Sequence, residues 1–242
     1  MPERIPRQKQ AVWADLLYRC KPVLFWLRSL LCKVQLFFLE FYKHPDDAAF
    51  LTTVYRSRRC MIQPFEAYAL LKLARMQSEL EGDMAEIGVY EGASAHIICH
   101  AKGQRHFFGF DTFEGLPEDG EAHEYRHIAF YRKGMFVADF ERARSVLHPF
   151  ANVTLVKGVF PASALSLDAL RGRMFSFVHI DADLYTSTKD GLAFFWERMV
   201  PGGMIIVHDS NAQGIVRALR GFIDTHHPKH FDLYASQTVF IK

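Results

Sequence analysis

The sequence predicts an α/β fold: a doubly wound, mostly parallel sheet with a terminal antiparallel hairpin, preceded by an N-terminal helical arm. Three observations carry this. From residue 83 onward, short and nearly continuous apolar runs alternate with stretches of helical apolar spacing, the pattern of parallel strands covered on both faces. Two apolar runs, 231–235 and 238–241, close the chain with little but Ser236 and Gln237 between them, which is hairpin spacing. The 242 residues are 50% hydrophobic and 23% charged, enough for one domain with a real core and too apolar for a disordered chain. Two units are expected, an amphipathic arm over 1–47 and the α/β domain over 48–242.

The arm comes first. Its apolar stretch from Val23 to Tyr42 contains Arg28, Lys33 and Glu40. Charges near the middle of a span cost roughly 2.5–3.5 kcal/mol each on insertion scales, which argues against a transmembrane helix. At about 100° per residue, Arg28, Ser29, Lys33, Gln35, Glu40 and Lys43 share one arc, and the rest of the circumference is Leu, Phe, Trp, Val and Tyr. Pro22 suits the first turn, where its missing N–H costs nothing. Three roles remain open for this helix. It packs on its own domain or on a symmetry mate, giving a homo-oligomer; it makes peripheral membrane contact through residues 11–43; or it is a lid over the active site.

Charge divides at the same place. Residues 1–35 hold Arg4, Arg7, Lys9, Arg19, Lys21, Arg28 and Lys33 against Glu3 and Asp15, so a head of +5 joins a body of −3 within a chain total of +2. An acidic body is not built to track a polyphosphate backbone, and nucleic acid is not an expected partner. Cys20, Cys32, Cys60 and Cys99 are scattered, with no C-x-x-C pair. They read as reduced thiols in a cytoplasmic protein, at most peripheral at the inner face of the membrane, and not as a zinc cluster. No secretory signal is read.

In the body, His44-Pro45-Asp46-Asp47 reads as a turn and 48–61 as a connector with some helix. Residues 62–80 have helical spacing and good helix formers. Strands are expected at 83–89, 106–110, 153–156, 174–180 and 203–208, with helices near 93–102, 136–147, 187–199 and 213–226. Ser187 and Asp190 read as a capping box, and Gly202-Gly203 as the start of the fifth strand.

In such a sheet, ligands bind outside the carboxyl ends of the strands. The first end runs Glu86-Ile87-Gly88-Val89-Tyr90-Glu91-Gly92-Ala93-Ser94. Gly88 and Gly92 would let a ligand approach the backbone. The G-x-G-x-x-G pyrophosphate fingerprint is absent, which leaves a smaller adenosine ligand. Asp111, followed by Thr112 and Phe113 after the second strand, can accept from ribose hydroxyls or simply cap its loop. The fourth end carries Asp181 and Asp183, the fifth His208 and Asp209. Neighbouring strands would set Asp181 beside Asp209. Two converging carboxylates need a proton or a cation between them, and a hard divalent ion such as Mg²⁺ is the natural occupant. Capping or salt-bridge roles are the alternative for each acid.

Residues 82–118, with D-T-F-E-G-L-P, and 177–211, with H-I-D-A-D-L-Y, resemble the macrocin O-methyltransferase family. The likeness covers roughly 50–242 and leaves the arm outside. It implies a Rossmann-like S-adenosylmethionine-dependent enzyme that methylates sugar hydroxyls of natural products, usually with Mg²⁺. The resemblance implies that Gly88 and Gly92 form the cofactor turn, flanked by Tyr90 and Ser94, with Glu86 as its first-motif acid. Asp111, with Thr112 and Phe113, would hold the ribose, and Asp181 would serve both cofactor and metal. Asp183 matches the position proposed as general base in relatives. The family usually ends its fifth strand in Asp-Asp; here Asp209 keeps the second carboxylate and His208 replaces the first. Imidazole suits softer ions than Mg²⁺, so His208 could ligate Mn²⁺, act as a base, or only pack. Tyr90, Phe113 and Tyr185 are candidate pocket walls. The acceptor would be a small molecule, glycan or glycolipid, met by the loop 116–135 with Glu118, His123, His127 and Arg132. A phenol or catechol methyltransferase, a non-catalytic cofactor-binding or membrane-associated protein, and a hydroxylase-associated relative are the competing readings.

Overall fold

The computed structural model of the chain describes residues 21–118 and 131–242, with side chains from residue 26 onward. His123, His127, Cys20 and the basic residues Arg4, Arg7, Lys9 and Arg19 lie outside the described residues. The strands are β1 (Asp83–Ile87), β2 (Phe107–Asp111), β3 (Val153–Lys157), β4 (Phe175–Ile180), β5 (Met199–Val207), β6 (Lys229–Asp232) and β7 (Thr238–Ile241). They form one sheet in the order β3-β2-β1-β4-β5-β7-β6. β1 to β5 pair in parallel, while β7 runs antiparallel to both β5 and β6. The expected terminal hairpin is therefore present, with a loop longer than Ser236-Gln237. The chain winds outward from β1 through β2 to β3, then crosses back to β4. That reversal opens a crevice at the carboxyl ends of β1 and β4. Register brings the neighbouring ends level, since Ile87 pairs with Ile180 and Ile180 with Val207.

Alternation along the strands divides the core in two. Met84, Phe107, Phe177 and Ile206 face one side, under helices α2 (Pro45–Ser57), α3 (Pro64–Gln77), α4 (Ala93–Ala101) and α5 (Phe140–Leu147). Phe108, Phe110, Val178 and Ile205 face the other, under α7 (Tyr185–Trp196) and α8 (Gln213–His226). The heavy phenylalanine content goes here. Phe107, Phe108, Phe110, Phe175, Phe177, Phe195 and Phe240 are fully buried. Several meet edge to face, such as Phe175 and Phe195 with centroids 5.0 Å apart, the arrangement that ring quadrupoles favour. A one-turn helix α6 (Ala162–Leu165) and a 3₁₀ turn at Asp168–Leu170 lie between β3 and β4.

Several local expectations change. Residues 44–47 are not a turn: α2 starts at Pro45, with Pro at N1 and Asp46 and Asp47 in its first turn, where acids complement the helix dipole. It spans the expected unit boundary at residue 47. Asp47 is buried, and its carboxylate accepts from Lys72 (3.1 Å) and Arg75 (2.8 Å) of α3. The Ser187–Asp190 capping box does not form. α7 begins two residues earlier, with Leu184 at its N-cap and no side-chain cap bond, so Ser187 falls inside the first turn. Gly202-Gly203 lies within β5 and not at its start, because the strand already pairs with β4 at Met199 and the register shifts before Met204. α5 starts at Phe140, where Asp139 caps Glu141 and Arg142.

The arm helix α1 (Lys21–Tyr42) rests on α2 and α3 through its polar flank. Arg28 donates to the Met61 carbonyl. Gln35, buried, donates to Gln63 (2.8 Å) and accepts from the Phe65 N–H (3.1 Å). Glu40 accepts from Thr52 (2.9 Å). Leu39 is buried on this side. The wide apolar face, comprising Trp26, Leu27, Leu30, Leu31, Val34, Phe37, Phe38, Phe41 and Tyr42, points outward and is exposed. Among the described residues, no helix is long and apolar enough to cross a membrane.

The Asp47 junction is open to test. Burial disfavours its charge, but Arg75 and Lys72 outweigh burial and hold its pKa below the usual carboxylate value. A depressed folded pKa contributes stability above the unfolded value, about 3.9, and that stability is lost as pH falls through the folded value. Asp47→Asn is expected to cost about 1–3 kcal/mol at neutral pH, with the gap to wild type narrowing below about pH 4. Urea unfolding at the two pH values checks both.

Candidate active site

A cavity of about 710 Å³ opens at the carboxyl ends of β1, β2, β4 and β5, within the size range of small-molecule sites. Gly88, Tyr90, Asp111, Thr112, Asp181, Asp183, His208 and Asp209 line it, together with Arg28, Gln63, Glu66, Tyr131, Phe136, Phe160 and Ser187. Each of the four strand ends places one non-glycine residue in the left-handed region: Tyr90 (φ 51°), Phe113 (φ 56°), Asp183 (φ 60°) and Asp209 (φ 54°). Such conformations cost about 1–3 kcal/mol each and cluster at functional sites.

Gly88 (φ +91°) lets the β1 turn lie against β4, for a Cβ there would collide with the Asp181 carbonyl oxygen. Asp111 joins the first two turns. One carboxylate oxygen accepts from the Tyr90 N–H and the other from the Phe113 N–H, both at 2.7 Å. Burial raises the Asp111 pKa, and these donors offset part of that.

Glu86, Gly92, Ser94 and Phe113 stand behind the cavity and are not among the residues that line it. Glu86 is wholly buried with Oε1 2.7 Å from His179 Nδ1. Burial pushes its pKa up, and its bonds to His179 and Ser94 act against that. Its position props β1 against β4 and gives it no contact with the cavity. Gly92 (φ +86°) is the N-cap of α4, and the Phe113 ring packs edge-on to Phe140 at 5.0 Å. Tyr185, a candidate wall, instead carries the Arg217 guanidinium over its ring at 3.6 Å.

The acidic rim converges as expected. Ligand atoms of Asp181, His208 and Asp209 lie within 4.8 Å of one another. His208 Nδ1 is 3.4 Å from Asp181 Oδ1 and 3.3 Å from Asp209 Oδ1. Its Nε2 is 3.2 Å from Glu66 Oε2. Burial opposes a charge on His208, but Asp181, Asp209 and Glu66 outweigh burial and hold its pKa well above the usual imidazole value. The same pairing lowers Asp181 and Glu66 against the pull of burial. Asp183 is different: burial first, then repulsion from Asp181 and Asp209, pushes its pKa well up. The Tyr131 hydroxyl hydrogen-bonds Asp183.

Glu66 and Tyr131 were not foreseen. Glu66 sits in the first turn of α3, where it also accepts from the Gln63 N–H (2.8 Å) and from the Ser236 N–H and hydroxyl (3.1 and 2.7 Å). It lies 142 residues from His208, and nothing in local sequence pairs them. Tyr131 belongs to the expected acceptor loop, of which residues 119–130 lie outside the described residues.

The residues fit a divalent cation. Among the described residues, His208 Nδ1 is buried without a hydrogen-bond partner and lies between two carboxylates, while Glu66 holds the opposite ring nitrogen as a carboxylate behind a ligating histidine does. Two carboxylate oxygens and an imidazole suit Mn²⁺ or another borderline ion better than Mg²⁺. The open turn at Gly88, with Asp111 behind it, likewise fits an adenosine ligand.

The macrocin-O-methyltransferase (TylF) family model matches residues 69–230. Over 140 residues the chain is 29% identical to the 8-demethyl-8-(2,3-dimethoxy-alpha-L-rhamnosyl)-tetracenomycin-C 4'-O-methyltransferase of Streptomyces olivaceus, covering 53% of this chain and 52% of that protein. It is 25% identical over 176 residues to the demethyldecarbamoylnovobiocin O-methyltransferase of Streptomyces niveus, covering 60% and 63%. The chain thus spans between half and two thirds of these curated relatives. In fold it is similar to the calicheamicin methyltransferase CalS11 (TM-score 0.67, 17% identity, 87% of this chain and 91% of that one). It is also similar to the O-methyltransferase NovP (TM-score 0.65, 19% identity, 76% and 81%).

Gly88→Ala tests the turn. The added Cβ meets backbone that cannot move without parting β1 from β4. A loss of about 2 kcal/mol or more in stability is expected, read as a lowered thermal midpoint. Gly103→Ala, whose Cβ meets nothing within 4 Å although its φ is also positive, is expected to cost about 1 kcal/mol.

Proposed function

The chain belongs to the macrocin O-methyltransferase family, and from that premise we propose that it transfers a methyl group from S-adenosylmethionine to a sugar hydroxyl. The acceptor class is a glycosylated small molecule or a glycolipid. The observation that carries this reading is the meeting of Asp111, Asp181, Asp183, His208 and Asp209 in one cavity beside the glycine turn. The sugar part draws support from the tetracenomycin relative, whose name places its methyl on a rhamnosyl-bearing compound. The free thiols Cys32, Cys60 and Cys99 suit a reducing compartment, and the reading places the enzyme in the cytoplasm.

S-adenosylmethionine supplies an electrophilic sulfonium methyl. The protein then has to align an oxygen with it and remove a proton. Gly88 and Asp111 shape the cofactor end of the cavity. A divalent ion, Mn²⁺ or Mg²⁺, held by Asp181, His208 and Asp209 would orient the acceptor and favour its alkoxide. Asp183 is the group set to take the proton: its raised pKa moves a carboxylate toward the working pH, as a general base requires. Tyr131 orients it through the hydroxyl bond. Asp181, Asp209 and Glu66 raise the His208 pKa and so favour its charged form, which makes Asp183 the better candidate for the base. The phenol and catechol reading shares every residue of this machinery and differs only in the acceptor.

Calorimetry with S-adenosylmethionine is expected to show binding, and its absence at millimolar cofactor overturns the reading. Asp181→Ala is expected to lower metal-dependent turnover by roughly a hundredfold or more. Unchanged metal dependence in that variant clears Asp181 of the ligand role. An acceptor panel of glycosides and catechols, read by cofactor turnover, decides between the two acceptor classes.

A further inference from the structure

The arm presents an unusual surface. Helices ordinarily bury their apolar stripe; α1 buries Gln35 and Leu39 and turns its apolar arc outward. Trp26, Phe37, Phe41 and Tyr42 are 62%, 61%, 71% and 68% exposed. No acid or base interrupts the arc. On the helix wheel Lys33, exposed, sits at its edge. The inner face is already engaged by Arg28, Gln35 and Glu40, so the arc cannot turn inward without breaking those bonds.

We infer that this outward face of α1 is a docking surface for an anionic lipid bilayer, on which the helix lies in the interfacial plane. Two features select lipid over a second copy of the chain, whose own basic head would repel this one. The composition, Trp, Phe, Tyr and Leu with no charge, is that of an interfacial helix. The charge is complementary: residues 1–35 carry +5 within a chain of +2, and each Lys or Arg near an anionic surface contributes about 1 kcal/mol. Arg28, on the inner side of the same helix, lines the cavity.

The proposal stands apart from the methyl-transfer reading, because it is tested without cofactor or acceptor. The full chain is floated with phosphatidylcholine vesicles containing phosphatidylglycerol and with pure phosphatidylcholine vesicles. The triple variant Trp26→Gln/Phe37→Gln/Phe41→Gln is run beside it. These side chains are exposed, so an unchanged thermal midpoint is expected. The wild type is expected to float with the anionic vesicles, weaken in high salt, and lose roughly tenfold or more of its affinity in the variant. No flotation of the wild type overturns the proposal, as does equal flotation of both proteins. Sedimentation that shows a dimer in the wild type and a monomer in the variant, without flotation, assigns the face to a second copy and also overturns it.

Discussion

Three carboxylates crowded onto one half-buried rim repel unless something positive stands among them. Asp181, Asp209 and Glu66 solve this with His208, whose ring is within 3.4 Å of each of them. The ring does more than neutralise. Through Glu66 it ties the end of β5 to the first turn of α3 and to Ser236 in the loop before β7. Helix, parallel sheet and terminal hairpin therefore meet at one charged group. The same arrangement leaves Nδ1 facing two carboxylates, which is also the geometry a borderline divalent ion requires. Structural neutraliser and candidate ligand are thus one residue in two protonation states, since metal binding demands the neutral ring.

The opposite side of the cavity is held differently. Asp111 accepts from two backbone amides, so its charge organises the β1 and β2 turns before any ligand arrives. Beneath both halves lies the phenylalanine-rich core. Interlocked rings resist small shifts, and above this core Tyr90, Phe113, Asp183 and Asp209 adopt left-handed conformations.

The arm follows another logic. Its polar flank is spent on specific bonds to α2 and α3, and the apolar arc is left outside. Amphipathic periodicity shows that a helix has two faces. It does not say which face looks inward. Gln35 marks the inner face here, its amide donating to Gln63 and accepting from the Phe65 N–H.

Much of the fold was legible because it is written in local alternation. Five parallel strands, α8 at 213–226 and the closing hairpin follow from apolar period and turn residues alone, and the strand ends supplied Gly88, Tyr90, Asp111, Thr112, Asp181, Asp183, His208 and Asp209 to the lining of the cavity. Where the sequence reading fell short, the missing information was three-dimensional. Glu86 belongs to the first motif yet faces His179, because register and not motif decides what a strand residue touches. Ser187 lost its capping role when α7 began at Tyr185, a matter of how Leu184 packs. Glu66 reached the site only because α3 folds over β5 from 142 residues away. The sequence by itself determined the order of the elements and the chemistry collected at the strand ends, since both follow from neighbours in the chain. Only the tertiary structure decided which groups share a charge, which face of α1 meets the outside, and which residues stand behind the cavity, because burial and contact belong to the packed whole.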